Sequence, residues 1–185
     1  MKNKISLMFL VLAGLSFVSF TVLQDWVSFS SKQGNYKMLF PSEPKEQEQK
    51  IPSAVGELTM YLAILESEDE SASNLLYMSA YCAYPADKVN SDASKETLEK
   101  FFKGASEGSA KKINGEIRSM KDLSYKGFPG KDILIDANLG GAEFVIAQRL
   151  ILVKNKFYML QTFSPKEMET NPEAKKFLDS FTLAE

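Results

Sequence analysis

The stretch GFPGKDILID, Gly127 to Asp136, decides between two folds. If its glycines and Lys131 cradle a phosphate, the chain is an α/β nucleotide binder. If they turn the chain, the next element is a β-strand. A phosphate loop needs GxxxxGK and then Ser or Thr, after a strand and before a helix. Here Gly127 and Gly130 have the wrong spacing, and the residue after Lys131 is Asp132. An aspartate there repels phosphate and cannot replace a magnesium-binding hydroxyl. Beyond it, Ile133, Ile135 and Ala137 alternate with Asp132, Leu134 and Asp136, the period of a strand. Phe128-Pro129-Gly130-Lys131 fits a type II turn, with proline presetting φ at the second position and glycine accepting positive φ at the third.

Strands extend outward on both sides. The segments 113–119 and 121–126 read as two strands preceding the turn. The segments 131–138, 142–153 and 156–163 lie beyond it. Leu150–Val153 is apolar on both faces, which marks a strand covered on both sides. Lys154-Asn155 turns the chain into Phe157–Phe163, giving an antiparallel hairpin. Upstream, Gln33-Gly34-Asn35 separates two short strands within residues 26–40. Glu46–Ile51 has the charges of a sheet edge. Leu58–Glu66 and Leu75–Pro85 complete the strands. In the latter, Met78, Ala80, Cys82 and Tyr84 share a face, so Cys82 reads as a buried hydrophobe.

Two segments switch to helical period. In SKETLEKFFKGA, residues 94–105, Leu98, Phe101, Phe102 and Ala105 form a stripe, with Ser91 or Ser94 as the cap. In NPEAKKFLDSF, Asn171 caps, Pro172 takes the first helical position, and Ala174, Phe177, Leu178 and Phe181 form the stripe. The order is strands, helix, strands, helix. That predicts an α+β fold: a mainly antiparallel β-sheet flanked by helices.

Composition limits the chemistry. The chain has 185 residues and no histidine. That removes Ser-His-Asp and Cys-His catalysis and histidine-ligated zinc. Cys82 is the sole cysteine, so the chain cannot form an internal disulfide or a thiolate metal cluster. No cofactor and no metal is expected. The acidic loop Glu66–Asn74 lacks the glycine-turned geometry of a calcium site and reads as solvated.

Lys2 and Lys4 precede nineteen uncharged residues, Ile5–Leu23. Residues 1–24 therefore read as a signal peptide or an N-terminal membrane anchor, and residues 25–185 as a single α+β domain. Export to the periplasm or beyond is expected, with membrane contact only through residues 5–23. Without Lys2 and Lys4, 20 basic residues face 24 acidic ones, a net charge of −4. No nucleic-acid partner is expected from that balance. The scattered lysines read as solubilising.

Three residues stand out as binding candidates. Arg149 interrupts VIAQRLILV and must pair with a carboxylate or reach solvent. A structural ion pair is its leading reading, and an anion contact the alternative. Tyr77 and Tyr81 share a strand face, either as recognition surface or as packing beneath a helix. Asp132 and Asp136, four residues apart on a strand, lie about 13 Å from each other. That is too far for paired carboxylate catalysis, and they read as solvated strand residues.

The frame of Trp26, NYKMLFP (Asn35–Pro41), GFPGKD, QRLILVKNKFYML (Gln148–Leu160) and the closing KFLDSFTL (Lys176–Leu183) resembles small exported bacterial proteins with the PsbP-like fold. That fold occurs in the PsbP subunit of photosystem II, a Ran-binding nuclear import factor, envelope proteins of the DcrB type and chaperones that shield transmembrane segments of secreted toxins. The resemblance implies an antiparallel sheet sandwiched between helices. It implies a non-catalytic protein, since known members mostly bind or stabilise partners, and it brings no functional residues to carry over. The expected function is binding or stabilising a protein, peptide or lipid partner. The alternatives are a small carboxylate-dependent hydrolase and a secreted structural or stress factor without a defined ligand.

Overall fold

A computed structural model describes residues 25–169 and 171–184. The expected leader, residues 1–24, lies outside them. Among the described residues are a seven-stranded sheet, a three-stranded sheet and two α-helices. The large sheet is made of two antiparallel meanders. The first is β3 (Lys45–Ser53), β4 (Gly56–Glu66) and β5 (Leu76–Ala83). The second is β6 (Glu116–Tyr125), β7 (Phe128–Leu139), β8 (Ala142–Val153) and β9 (Lys156–Pro165). They join where β5 pairs antiparallel with β9, giving the order β3-β4-β5-β9-β8-β7-β6. Helix α1 (Lys95–Lys112) carries the chain from the middle of the sheet to its far edge.

The two faces of this sheet bury different cores. On one, α1 lays Phe102, Ser106 and Ala110 over Ile133, Ile146 and Leu150. On the other lie α2 (Pro172–Asp179) and the small sheet of β1 (Val27–Ser31), β2 (Tyr36–Phe40) and β10 (Thr182–Leu183). They cover Tyr77, Ile151, Tyr158 and Leu160 with Phe29, Phe40 and Phe177. Leu150, Ile151 and Leu152 are 0% exposed, so the doubly apolar run is a strand buried on both sides. Each such side chain contributes roughly 1.5–3 kcal/mol of burial. Among the described residues, both cores draw on positions 26–181 and Leu183, so residues 25–185 carry both of them whole.

The antiparallel sheet flanked by helices is present as expected, with a small sheet sharing the second face with α2. Three local expectations need correction. Residues 113–126 do not form two strands. Ile113 caps α1, Asn114 takes a positive φ of 50°, and β6 then runs unbroken from Glu116 with its register shifted between Ile117 and Ser119. Helix α1 continues past Ala105 to Lys112. Gly104 and Gly108 each cost about 1 kcal/mol in helix propensity, which burial of Phe102 and Ala110 offsets.

The third correction concerns the opening stretch. Its turn is not Phe128–Lys131 but the pair before it. Lys126 and Gly127 have φ of 49° and 85°, the two positive values of a type I′ hairpin turn. Phe128, Pro129, Gly130 and Lys131 all belong to β7. Pro129 is tolerated because the ladder to β8 begins only at the next residue, where Gly130 faces Ile151. Gly130 is required for closeness rather than for φ, since a Cβ there would sit 2.5 Å from the Leu150 carbonyl oxygen.

Lys131 also departs from the solubilising reading. It is 6% exposed. Its ammonium donates to both oxygens of Glu99 on α1, at 2.7 and 2.8 Å, and to Asp122 on β6. The lysine of the glycine stretch is thus a tie between helix and sheet.

Alanine scanning of the two glycines tests this placement. Gly130→Ala is expected to lower unfolding free energy by about 2–3 kcal/mol in urea titrations, as overpacking does. Gly127→Ala, which meets open space but keeps an unfavourable φ, should cost about 1 kcal/mol. An unaffected Gly127→Ala protein would contradict the turn at Lys126–Gly127.

Candidate functional site

A cleft of about 840 Å³ opens where β3 and β4 meet the 67–75 loop and α2. Glu43, Glu66, Glu68, Asp69 and Glu173 line it, against one lysine, Lys45. Its wall is the acidic loop that the sequence marks as solvated. Asp69 shapes that loop, because its Oδ1 accepts hydrogen bonds from the backbone N–H and hydroxyl of Ser71, at 2.9 and 2.7 Å. Those bonds hold the Asp69 carboxyl below its ordinary pKa.

Beneath the carboxylates is a buried polar network. Asn74 is 1% exposed. Its Nδ2 donates to the Tyr77 hydroxyl at 2.8 Å and to Asn171 Oδ1 at 2.9 Å, while its Oδ1 accepts from the Ser164 hydroxyl at 2.8 Å. Asn171 Oδ1 also accepts from the Ala174 N–H at 2.7 Å, which caps α2. Tyr77 donates to Glu173 Oε2 at 3.0 Å. Burial, then the charge of Glu173, pushes the Tyr77 hydroxyl pKa well above its usual value. It therefore stays a neutral donor at physiological pH. The network ties the loop, β5, β9 and α2 together, so the acidic wall stands on a fixed floor. Trp26 packs edge-on against Tyr77 with ring centroids 5.8 Å apart, and Lys176 lies 4.3 Å over the Trp26 ring.

The three residues singled out by sequence do not form one site. Tyr77 belongs to the floor of this cleft, beneath α2 and in ring contact with Phe177 at 5.3 Å. Tyr81 lies further along β5 against Tyr61, lining a separate hollow. Arg149 lies away from both, in β8, and joins three elements. Its Nε and NH2 grip Asp132 of β7 bidentately at 2.7 and 3.0 Å. Its NH1 donates to Asp179 and to the Leu178 carbonyl of α2, both at 3.0 Å. A guanidinium so engaged docks α2 on the sheet.

Asp132 and Asp136 depart from the reading as merely solvated. Asp132 is held by Arg149, and Asp136 by Arg118 and Lys166 at 3.4 and 3.0 Å. They serve separate ion pairs. Burial pushes the Cys82 thiol up to about 12, so it remains a neutral thiol. Sequence reading missed Asn74 and Glu173. Asn74 is only the polar end of an acidic loop in the sequence, and nothing local pairs it with Asn171, ninety-seven residues away.

No family model and no curated protein matches the chain. Solved structures do. The solution structure of cyanobacterial PsbP (CyanoP) from Synechocystis sp. PCC 6803 is similar over 91% of this chain and 98% of its own, with a TM-score of 0.51 and 12% identity. A crystal structure from Bacteroides thetaiotaomicron is similar over 88% of this chain and 50% of its own, with a TM-score of 0.49 and 12% identity. The chain thus spans half of that protein. A Pseudomonas aeruginosa protein of unknown function is similar over 77% of this chain and 85% of its own, with a TM-score of 0.37 and 8% identity. The chain has a PsbP-like fold.

The Arg149 junction yields a test with a pH signature. Arg149→Ala is expected to cost about 2–3 kcal/mol at neutral pH, because it strands Asp132 and Asp179 beside a lost partner. Lys175, and then Arg149, hold the Asp179 carboxyl below its ordinary pKa. Stability from that carboxylate is complete above about pH 4, the unfolded value, and is lost as pH falls through the depressed folded one. The gap between native and variant proteins should therefore narrow below about pH 4 in urea titrations. Equal stability at pH 7 would refute the docking role.

Proposed function

We propose that this chain is a non-catalytic exported protein of the cell envelope, which binds a protein or peptide partner through a lysine- or arginine-bearing segment. The observation that carries this reading is the acidic cleft on its fixed floor. Five carboxylates line it against one lysine. A concave wall of one charge sign raises the local concentration of oppositely charged groups and speeds their capture. Tyr77, Ile64 and Leu65 supply apolar surface for the stem of such a side chain.

Three features support the rest of the reading. Lys2, Lys4 and the uncharged run Ile5–Leu23 have the character of an export leader or anchor, which supports a periplasmic or extracellular place for residues 25–185. The chain contains no histidine. The hydroxyls of Ser67 and Ser71 in the cleft are spent on Asp69, at 3.1 and 2.7 Å, rather than aligned with a base. The PsbP-like fold is compatible with binding but does not specify a function.

Residues 25–185, titrated with a fluorescent decapeptide of alternating Lys and Ala, test the reading. Saturable binding is expected, weakening with salt. The triple variant Glu43→Gln, Glu66→Gln, Glu68→Gln should bind about tenfold more weakly, since exposed pairs contribute roughly 0.2–1 kcal/mol each. A Glu-Ala decapeptide binding as well as the Lys-Ala one would sink the proposal.

A further inference from the structure

A second hollow, of about 470 Å³, opens between the β1–β2 turn and the start of β4. Gln33, Glu57, Thr59, Tyr61 and Tyr81 line it. Tyr61 and Tyr81 are cross-strand partners whose rings stack at 6.2 Å and 23°. The inner side of Tyr81 packs on Tyr158 at 5.4 Å. The Tyr158 hydroxyl in turn donates to the Gly34 carbonyl at 2.9 Å, which fixes the turn carrying Gln33 beside the rings.

The tyrosines of this face differ in one respect. Tyr36 bonds to Ser79, Tyr77 to Glu173 and Tyr158 to Gly34. Tyr81, which lines the hollow, is only 7% exposed, yet its hydroxyl bonds to no group among the described residues. A tyrosine that lines a hollow, is more than nine-tenths buried and carries an unengaged hydroxyl is a preset hydrogen-bonding group.

We propose that this hollow binds a neutral pyranose ring, as a free saccharide or as one unit of a glycan. The lining sets the ligand's charge. Glu57 is the one charged side chain among the described residues that line it, and Lys50 already pairs with it at 3.0 Å. Nothing remains to select an ion. The remaining groups are a phenol, an amide and the Thr59 hydroxyl, which both donate and accept. Sugar hydroxyls do the same, and the C–H face of a pyranose can lie on the half-buried ring of Tyr61. A proline-rich peptide offers flat apolar surface too, but its carbonyls only accept. The volume falls within the range of small-ligand sites, roughly 300–1,000 Å³. This site is independent of the acidic cleft, and neither proposal rests on the other.

The test is an amide NMR titration of residues 25–185 with maltose, cellobiose and chitobiose, each up to about 50 mM, a range that covers millimolar affinities. Saturable shifts at Gln33, Thr59, Tyr61 and Tyr81 with at least one disaccharide are expected. Tyr81→Phe keeps the ring and breaks no internal hydrogen bond, so its spectrum should remain native. Its affinity should fall about fivefold or more. Tyr61→Ala should weaken binding about tenfold. Two results would overturn the proposal: no saturable shift with any of the three sugars, or Tyr81→Phe binding as tightly as the native protein. Saturable shifts at this hollow with decaproline instead of the sugars would do so as well.

Discussion

The β5–β9 ladder is the interaction on which the rest of the molecule depends. It pairs Leu76 with Phe163 at one end and Ala83 with Lys156 at the other. Without it the chain is two meanders, each with an unpaired edge and two half-covered faces. With it, one sheet exists, and each face can hold a continuous core. Both cores straddle the seam. Cys82 and Phe157 face α1, whereas Tyr81 and Tyr158 face the small sheet. The partners are some seventy to ninety residues apart in sequence, so loop closure must precede any gain from pairing.

The polar residues repeat this logic on a smaller scale. Lys131, Arg149 and Asn74 hold elements together rather than wait for substrates. Lys131 ties α1 to the sheet, Arg149 ties α2 to it, and Asn74 with Asn171 ties the acidic loop to both. Buried charges of this kind add little net stability compared with apolar residues of equal volume, but they penalise a misplaced helix heavily. Among the described residues, the groups left unspent are Glu43, Glu66 and Glu68 of the cleft, and the Tyr81 hydroxyl beside the second hollow.

Sequence revealed the elements better than their joints. The period of Ile133, Ile135 and Ala137, the doubly apolar Leu150–Val153 and the Asn171-Pro172 helix start were all legible because each signal is local. The turn lies three residues before the Pro129-Gly130 pair that the sequence marks, because Pro-Gly is a strong turn signal, while Lys126-Gly127 announces itself only by φ. Here Gly130 answers to the Leu150 carbonyl of another strand, which no local pattern displays. The α+β class was therefore readable, whereas the cleft was not. Its floor joins residues 74, 77, 164, 171 and 173, and only the completed sheet brings them together.

Native-state hydrogen exchange tests the seam most directly. If the two meanders form one cooperative sheet, amides of Tyr77–Cys82 and Phe157–Thr162 that lie in the ladder exchange together in the slowest class, through global unfolding. The exposed part of the 67–73 loop exchanges far faster. Release of β3–β5 as a separate, less stable unit, with β6–β9 still protected, would contradict the account.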